Sequence, residues 1–200
     1  MARRLRPALV AFLGLTLATG ALYPALVFAL ARLVWPRAAD GSLVRQDGRV
    51  VGSRWIAQAF TDPGHFWGRP SATVDARGLP SPWNAARSGG SNLAPGSPAL
   101  ARLVAERAAA LRAADPDPAD PVPADLVLAS GSGLDPHIRP AAALWQVPRV
   151  ARRRGLDEAQ LRRLVAAHTE APQLGFLGEP RVNVLELNLA LDALAGHGRR

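Results

Sequence analysis

Hydrophobic and polar positions divide the chain unevenly. From Pro7 to Ala31 twenty-five consecutive residues carry no charge, with Arg3, Arg4 and Arg6 before them and Arg32 after. As a helix rising about 1.5 Å per residue, the run reaches roughly 37 Å, enough to cross a hydrocarbon core of about 30 Å with some tilt. It reads as a transmembrane anchor. The competing reading is a cleaved leader with Ala29-Leu30-Ala31 as its small-x-small site, but the run is well beyond the roughly 7–15 apolar residues of such a leader. The arginines ahead of the span outweigh a following flank in which Arg32 and Arg37 precede Asp40 and Asp47. That bias predicts a cytoplasmic N-terminus and an external body.

Within the span, Ala11, Gly14, Ala18, Ala21, Ala25 and Ala29 recur at steps of three or four. On a helix they form one stripe along which another transmembrane helix can approach closely. The abundance of alanine in this chain is a plainer account of the same spacing. Pro24 predicts a kink, and Trp35 falls at the outer interface.

Past the anchor the period changes. Asp47-Gly48 between the β-prone runs of LVRQDGRVV predicts a hairpin. Ser53 predicts the cap of a short helix through Phe60 with Trp55, Ile56 and Phe60 on its apolar face. From Thr61 to Pro98 periodicity disappears among prolines and glycines, yet Phe66, Trp67 and Trp83 argue for an ordered, functional segment rather than a linker. Ser97 and Pro98 open a helix whose buried stripe holds Leu100, Leu103, Val104 and Leu111. The prolines of DPDPADPVP break it into an extended connector and a site of mobility. Asp125 to Ser130 reads as a buried strand. Beyond an alanine-rich segment reaching Trp145, Arg149 to Gly155 is basic and ends at a C-cap glycine. Asp157 and Gln160 form a capping box for a helix carrying Leu161, Leu164, Val165 and a boundary histidine, His168. Asn183 and Glu186 do the same for a C-terminal helix, with a strand from Val182 to Leu187 as the alternative. These elements make an α+β protein: a tail and transmembrane helix over residues 1–36, then a single mixed α/β domain over residues 37–200.

Composition narrows the function. Without cysteine there are no disulfides, thiolate metal sites or cysteine nucleophiles. The net charge of +8 arises from arginine alone. The arginines are scattered apart from Arg152, Arg153 and Arg154, and no aromatic residues interleave with them, so nucleic acid is not a predicted partner. Ser130, Ser132, Asp135 and His137 are the residue types of a hydrolase triad, but within eight residues they rarely reach triad geometry. The G-x-S-x-G elbow is also missing. Gly131-Ser132-Gly133 lacks the rest of a dinucleotide fingerprint, and no phosphate-binding G-x-x-x-x-G-K-[ST] occurs. Asp135 and His137 fall short of the three or four ligands of a metal site. Residues 88–92, Ser-Gly-Gly-Ser-Asn, read as a turn or an anion-binding nest. The residues alone therefore describe a membrane-anchored interaction subunit with no catalytic set.

Five ordered motifs then become informative. They are Phe66-Trp67-Gly68-Arg69-Pro70-Ser71-Ala72-Thr73; Asn84 with Ser88-Gly89-Gly90-Ser91-Asn92-Leu93; Ser130 through Ile138; Gln146-Val147-Pro148-Arg149-Val150-Ala151; and Leu187-Asn188-Leu189-Ala190-Leu191-Asp192. Together they resemble the C subunit family of the Kdp-type potassium-transporting ATPase over nearly the whole chain. His65, Trp83 and Ala171-Pro172 depart from the family pattern mildly, and the first two keep ring bulk.

The resemblance implies a non-enzymatic accessory subunit in a bacterial-type inner membrane, spanning it once. It further implies a potassium-channel-like subunit, a P-type ATPase subunit and a small accessory membrane peptide as partners. Potassium is then the transported ion, no cofactor is firmly bound, and ATP belongs to the ATPase partner. Two roles follow for the family: an extracytoplasmic cap near the potassium entrance, and a catalytic chaperone that raises the ATP affinity of the ATPase subunit. The first makes Trp67, Arg69, Ser88, Gly89, Gly90, Ser91, Asn92, Gly131, Gly133, Asp135 and His137 either core-building or partner-contacting. The second makes Gln146 and the Ser-Gly loops nucleotide contacts.

Overall fold

The computed structural model describes residues 2–115 and 121–197. The chain separates into two compact units, Met1–Val51 and Gly52–Arg200. The first begins with a helical rod of three parts: α1 (Ala2–Leu17), a π-helical turn (Ala18–Leu22) and α2 (Tyr23–Val34). The widened turn has a cause. Pro24 has no amide proton and its ring crowds the carbonyl four residues back; just before it, the Tyr23 N–H bonds to the Ala18 carbonyl, five residues back. The helix is thus widened at the place where Pro24 predicts a kink. A short helix α3 (Pro36–Ala39) follows, and Arg32 pairs with Asp40 across it. Strands β1 (Leu43–Gln46) and β2 (Arg49–Ser53) form the predicted hairpin, with Asp47 and Gly48 at φ of 49° and 78° in its turn.

The second unit is built on helices α4 (Pro98–Ala114), α5 (Ala124–Val127), α6 (Pro140–Arg154), α7 (Glu158–Ala167) and α8 (Val184–His197). They pack with a small antiparallel sheet, β3 (His137–Ile138), β4 (Thr169–Glu170) and β5 (Arg181–Asn183), in the order β3-β5-β4. Ile138 opposes Val182, and Val182 opposes Thr169. The core joins Phe66 to Val147 and Val150 of α6, Leu161 and Val165 of α7, Val182 of β5, and Leu187 and Leu191 of α8. Gly155 closes α6 at φ 65° and the Asp157 carboxylate accepts the Gln160 N–H at 3.0 Å, whereas Ser97 stands at the N-cap of α4 without a capping hydrogen bond from its side chain. At Asn183 both readings meet, since β5 ends where the Asn183 side-chain Oδ1 accepts the Glu186 N–H at 3.1 Å. Glu186 does not close the box; its carboxylate meets Arg54 at 3.2 Å.

Two expectations fail. No helix runs from Ser53 to Phe60. The Trp55 N–H folds back on the Ser53 hydroxyl at 3.3 Å, and Ala57 donates to the Leu134 carbonyl at 2.9 Å. A long-range backbone partner therefore replaces the local helical one. Nor does any of Asp125 to Ser130 form a strand: residues 124–127 form one helical turn that buries Asp125, Leu126 and Val127 in succession. A strand would have sent alternate members of that run to opposite faces. Of the connector, Pro116 to Asp120 lie outside the described residues, while Asp115 is buried and pairs with Arg152.

Candidate functional site

Three polar constellations hold the irregular segment 61–98 against the helices. The first surrounds Phe66-Trp67. Gln146, on the buried face of α6, accepts the Trp67 N–H at 2.7 Å through Oε1 and donates Nε2 to the Trp67 carbonyl at 3.0 Å. Its remaining capacity goes to the Ala142 carbonyl and the Arg149 guanidinium. Asn188 of α8 pairs with Phe66 in the same two-sided way, at 2.8 and 2.9 Å. Each amide thus imitates a strand neighbour for a segment with none. Arg149 completes the clamp. Its guanidinium donates to the Pro63 and His65 carbonyls and stacks 4.3 Å above the Trp67 ring. Burial pushes Arg149 down to about 10, which still leaves it charged at neutral pH. Nearby, Arg154 and Asp192 meet His65 Nε2 at 2.7 and 3.2 Å.

The second constellation joins the two Ser-Gly strings. Gly89 N–H and the Ser88 hydroxyl both donate to the Ser132 carbonyl, at 2.8 and 3.0 Å. The Ser71 hydroxyl donates to the Gly133 carbonyl at 2.7 Å and accepts the Trp83 N–H at 2.9 Å. Buried Thr73 donates to the Ser81 carbonyl at 2.6 Å and accepts the Asn84 N–H at 3.1 Å. Ser91 accepts the Leu93 N–H, and Asn92 turns the chain at φ 53°. Of the string that read as a nest, the Gly89 amide is spent on the Ser132 carbonyl. Ser130 and Ser132 bond each other at 3.4 Å and cap the Gly133 and Leu134 amides, which is turn chemistry rather than a nucleophile set beside a base.

The third is a cleft of about 280 Å³ lined by Arg69, Asp125, Asp135, His137, Arg139 and Arg181, among others. Asp135 accepts the His137 N–H at 3.0 Å, faces His137 Nδ1 at 3.4 Å and pairs with Arg69 at 3.5 Å. Arg139 pairs with Glu179 at 2.7 Å, and Arg181 with Glu170 at 2.9 Å. Burial pushes the Asp135 carboxyl up, but the His137 hydrogen bonds and the Arg69 charge outweigh it and hold the group below its ordinary 3.8. Glu170 is likewise held low, against burial, by Arg54 and Arg181. A general base needs the opposite shift, so these carboxylates serve as charge partners. Among the described residues no group of three or more His, Cys, Asp or Glu side chains is placed to hold a metal ion.

A carboxyl whose folded pKa lies below its unfolded value stabilises the fold above the unfolded pKa and loses that contribution as pH falls through the folded one. Melting temperature should therefore drop on acidification below about pH 4, and Asp135→Asn should flatten that limb while lowering the neutral-pH plateau. An acid limb unchanged in the variant would remove Asp135 from the account.

The structure thus draws Trp67 and Gln146 into one cluster, Ser88, Gly89, Gly131 and Gly133 into a second, and Arg69, Asp135 and His137 into a third. Gln146 is fully buried and its amide is spent on the chain itself, leaving a nucleotide no free group there. Sequence reasoning passed over Arg149 and Asn188 as individuals. Their signal was present: each sits at the helical period of a buried face, flanked by Val147 and Val150 or by Leu187 and Leu191.

Residues 5–193 match the family described as KdpC, K+-transporting ATPase, c chain. A protein of Polaromonas naphthalenivorans is 61% identical over 190 residues, covering 95% of this chain and 94% of its own length. One from Sorangium cellulosum is 62% identical over 192 residues, covering 96% and 98%. One from Methylococcus capsulatus is 56% identical over 194 residues, covering 97% and 100%. All three carry the name potassium-transporting ATPase KdpC subunit.

Proposed function

The chain belongs to the KdpC family, the c chains of K+-transporting ATPases, and from that premise we propose that it is a non-catalytic accessory subunit that supports assembly and activity of the channel-like and ATPase subunits. A single helix holds it in a bacterial inner membrane, with the N-terminus in the cytoplasm and the α+β body outside. The small accessory membrane peptide completes the set of partners, potassium is the transported ion, and ATP stays with the ATPase subunit.

The observation that carries the reading is the state of the span. Leu5–Val34 is long and apolar enough to cross a membrane, and none of its most apolar stretch is buried by the rest of the chain. Such a helix is built for lipid and for other helices, and association in lipid depends on close approach between small residues. Replacing Gly14 and Ala18 together by leucine should lower co-purification of the channel-like and ATPase subunits about tenfold, a loss equivalent to about 1.4 kcal/mol of helix association. A Cβ at Gly14 meets no other described side chain within 4 Å, so the first carbon of the new side chain is free of a clash within the chain. Undiminished co-purification would remove the span from assembly. Protease added to sealed vesicles of known orientation tests the topology: digestion of the body from the cytoplasmic face would overturn the external placement.

A further inference from the structure

Just past the span, α3 and β1 border a cavity of about 590 Å³ lined by Pro36, Arg37, Asp40, Leu43 and Arg45. The helical rod ends at Trp35, where φ of −131° and ψ of 60° leave the helical region, and α3 starts at Pro36. Asp40 then ties the segment back. It pairs with Arg32, the first charge after the uncharged run, so the cavity wall lies one arginine side chain from the end of the apolar span. That run reaches roughly 37 Å against a hydrocarbon core of about 30 Å, and the headgroup layer adds about 5–8 Å on each side. The cavity therefore opens at headgroup depth.

Its charge is unbalanced. Asp40 is spent on Arg32, whose guanidinium also lies 5.2 Å from the Phe28 ring centroid. Among the described residues no carboxylate pairs with Arg37 or Arg45, and Arg45 donates only to the Gly48 carbonyl, at 3.3 Å. Both arginines are exposed. Two guanidinium groups without a carboxylate thus stand beside the apolar faces of Pro36 and Leu43.

We infer that this cavity binds the phosphate headgroup of an anionic phospholipid, an inference that rests on the reading of Leu5–Val34 as a membrane span and holds whichever side the body lies on. Planar guanidinium groups take phosphate oxygens in pairs, and Pro36 and Leu43 suit the glycerol and first acyl carbons below the headgroup. A zwitterionic lipid would bring a cation of its own against two uncompensated arginines. A dissolved phosphate lacks the acyl chains that Leu33 and Val34, both exposed on the adjoining rod, are placed to meet. An acidic protein surface would have to displace lipid that residence in the membrane already holds at high effective concentration.

The test uses the full chain, purified in detergent and analysed by native mass spectrometry with phosphatidylglycerol or phosphatidylcholine added. One phosphatidylglycerol should stay bound per chain, with phosphatidylcholine retained about tenfold less. Arg37→Gln with Arg45→Gln should lower phosphatidylglycerol retention about thirtyfold, the effect of two charges at a lipid surface. The melting temperature should not move, since neither side chain is paired within the fold. Arg45→Gln alone should lower retention about fivefold. Arg49→Gln should leave it unchanged, because this exposed arginine of the same hairpin lies outside the cavity. Equal losses from Arg45→Gln and Arg49→Gln would mean diffuse attraction and overturn the site. Equal retention of the two lipids overturns it too, as does displacement of phosphatidylglycerol by inorganic phosphate. Phosphatidylglycerol on the isolated chain but not on transporter purified from native membranes would give the cavity to another chain of the complex and also overturn the inference. Each of those results leaves the span standing. Release of the chain from membranes by alkaline carbonate overturns the span and the site together.

Discussion

Gly133→Ala should cost the fold about 3–5 kcal/mol, more than a methyl group costs at almost any other position of the second unit. A Cβ there would stand 2.5 Å from the Gly89 carbonyl oxygen and 2.7 Å from Thr73 Cγ2, and the residue sits at φ 67°. The close oxygen is backbone, so no side-chain rotation relieves the clash. Relief requires the two Ser-Gly strings to part. That would break the bonds from Gly89 N–H and the Ser88 hydroxyl to the Ser132 carbonyl, and the one from Ser71 to the Gly133 carbonyl. Gly131→Ala is the internal control. No described atom lies within 4 Å of its would-be Cβ and its backbone is not left-handed, so the melting temperature should barely move. For a unit of this size the Gly133 variant should melt roughly 9–15 °C lower, at about 3 °C per kcal/mol. Equal melting of the two variants would mean that the strings do not lock each other.

This contrast also marks what the sequence disclosed and what it did not. Turn, cap and span signals are local, and they were legible: Asp47-Gly48 in the hairpin, Gly155 at φ 65°, Asp157 over Gln160, and the uncharged run from Pro7. The glycine strings were visible too, but identical composition concealed different duties. Gly133 is indispensable because Gly89 faces it across 44 residues of chain, and nothing within either string announces the other. The same holds at Ser53, where a cap signal was overridden by Ala57 bonding to Leu134, and at Asp125 to Val127, where burial of three neighbours favoured a helical turn. Family resemblance reached these loops first because their residues answer to tertiary contacts that no periodicity encodes.

Arg149→Met should be the most damaging side-chain substitution on α6, lowering stability by about 3 kcal/mol and the melting temperature by roughly 6–12 °C. Two effects oppose one another. Methionine fills similar space without a buried charge, and burial, which pushes Arg149 down to about 10, is a cost that this substitution relieves. Against that stand charge-assisted bonds to the Pro63 and His65 carbonyls and to Gln146 Oε1, worth about 1.5–3 kcal/mol each, together with the stack on Trp67. The bonds win because the acceptors stay where they are. Two carbonyls of a segment without strand neighbours would lose the donors that hold them. Arg149→Lys should recover little of the loss, since one ammonium cannot span both carbonyls and lie flat on the indole. Pairing Arg149→Met with Gln146→Leu gives the sharper test. If the two residues clamp the segment jointly, the double variant should be less destabilised than the sum of the singles by at least about 1 kcal/mol. Strict additivity would mean that Arg149 holds Pro63 and His65 independently of the Gln146 clamp on Trp67.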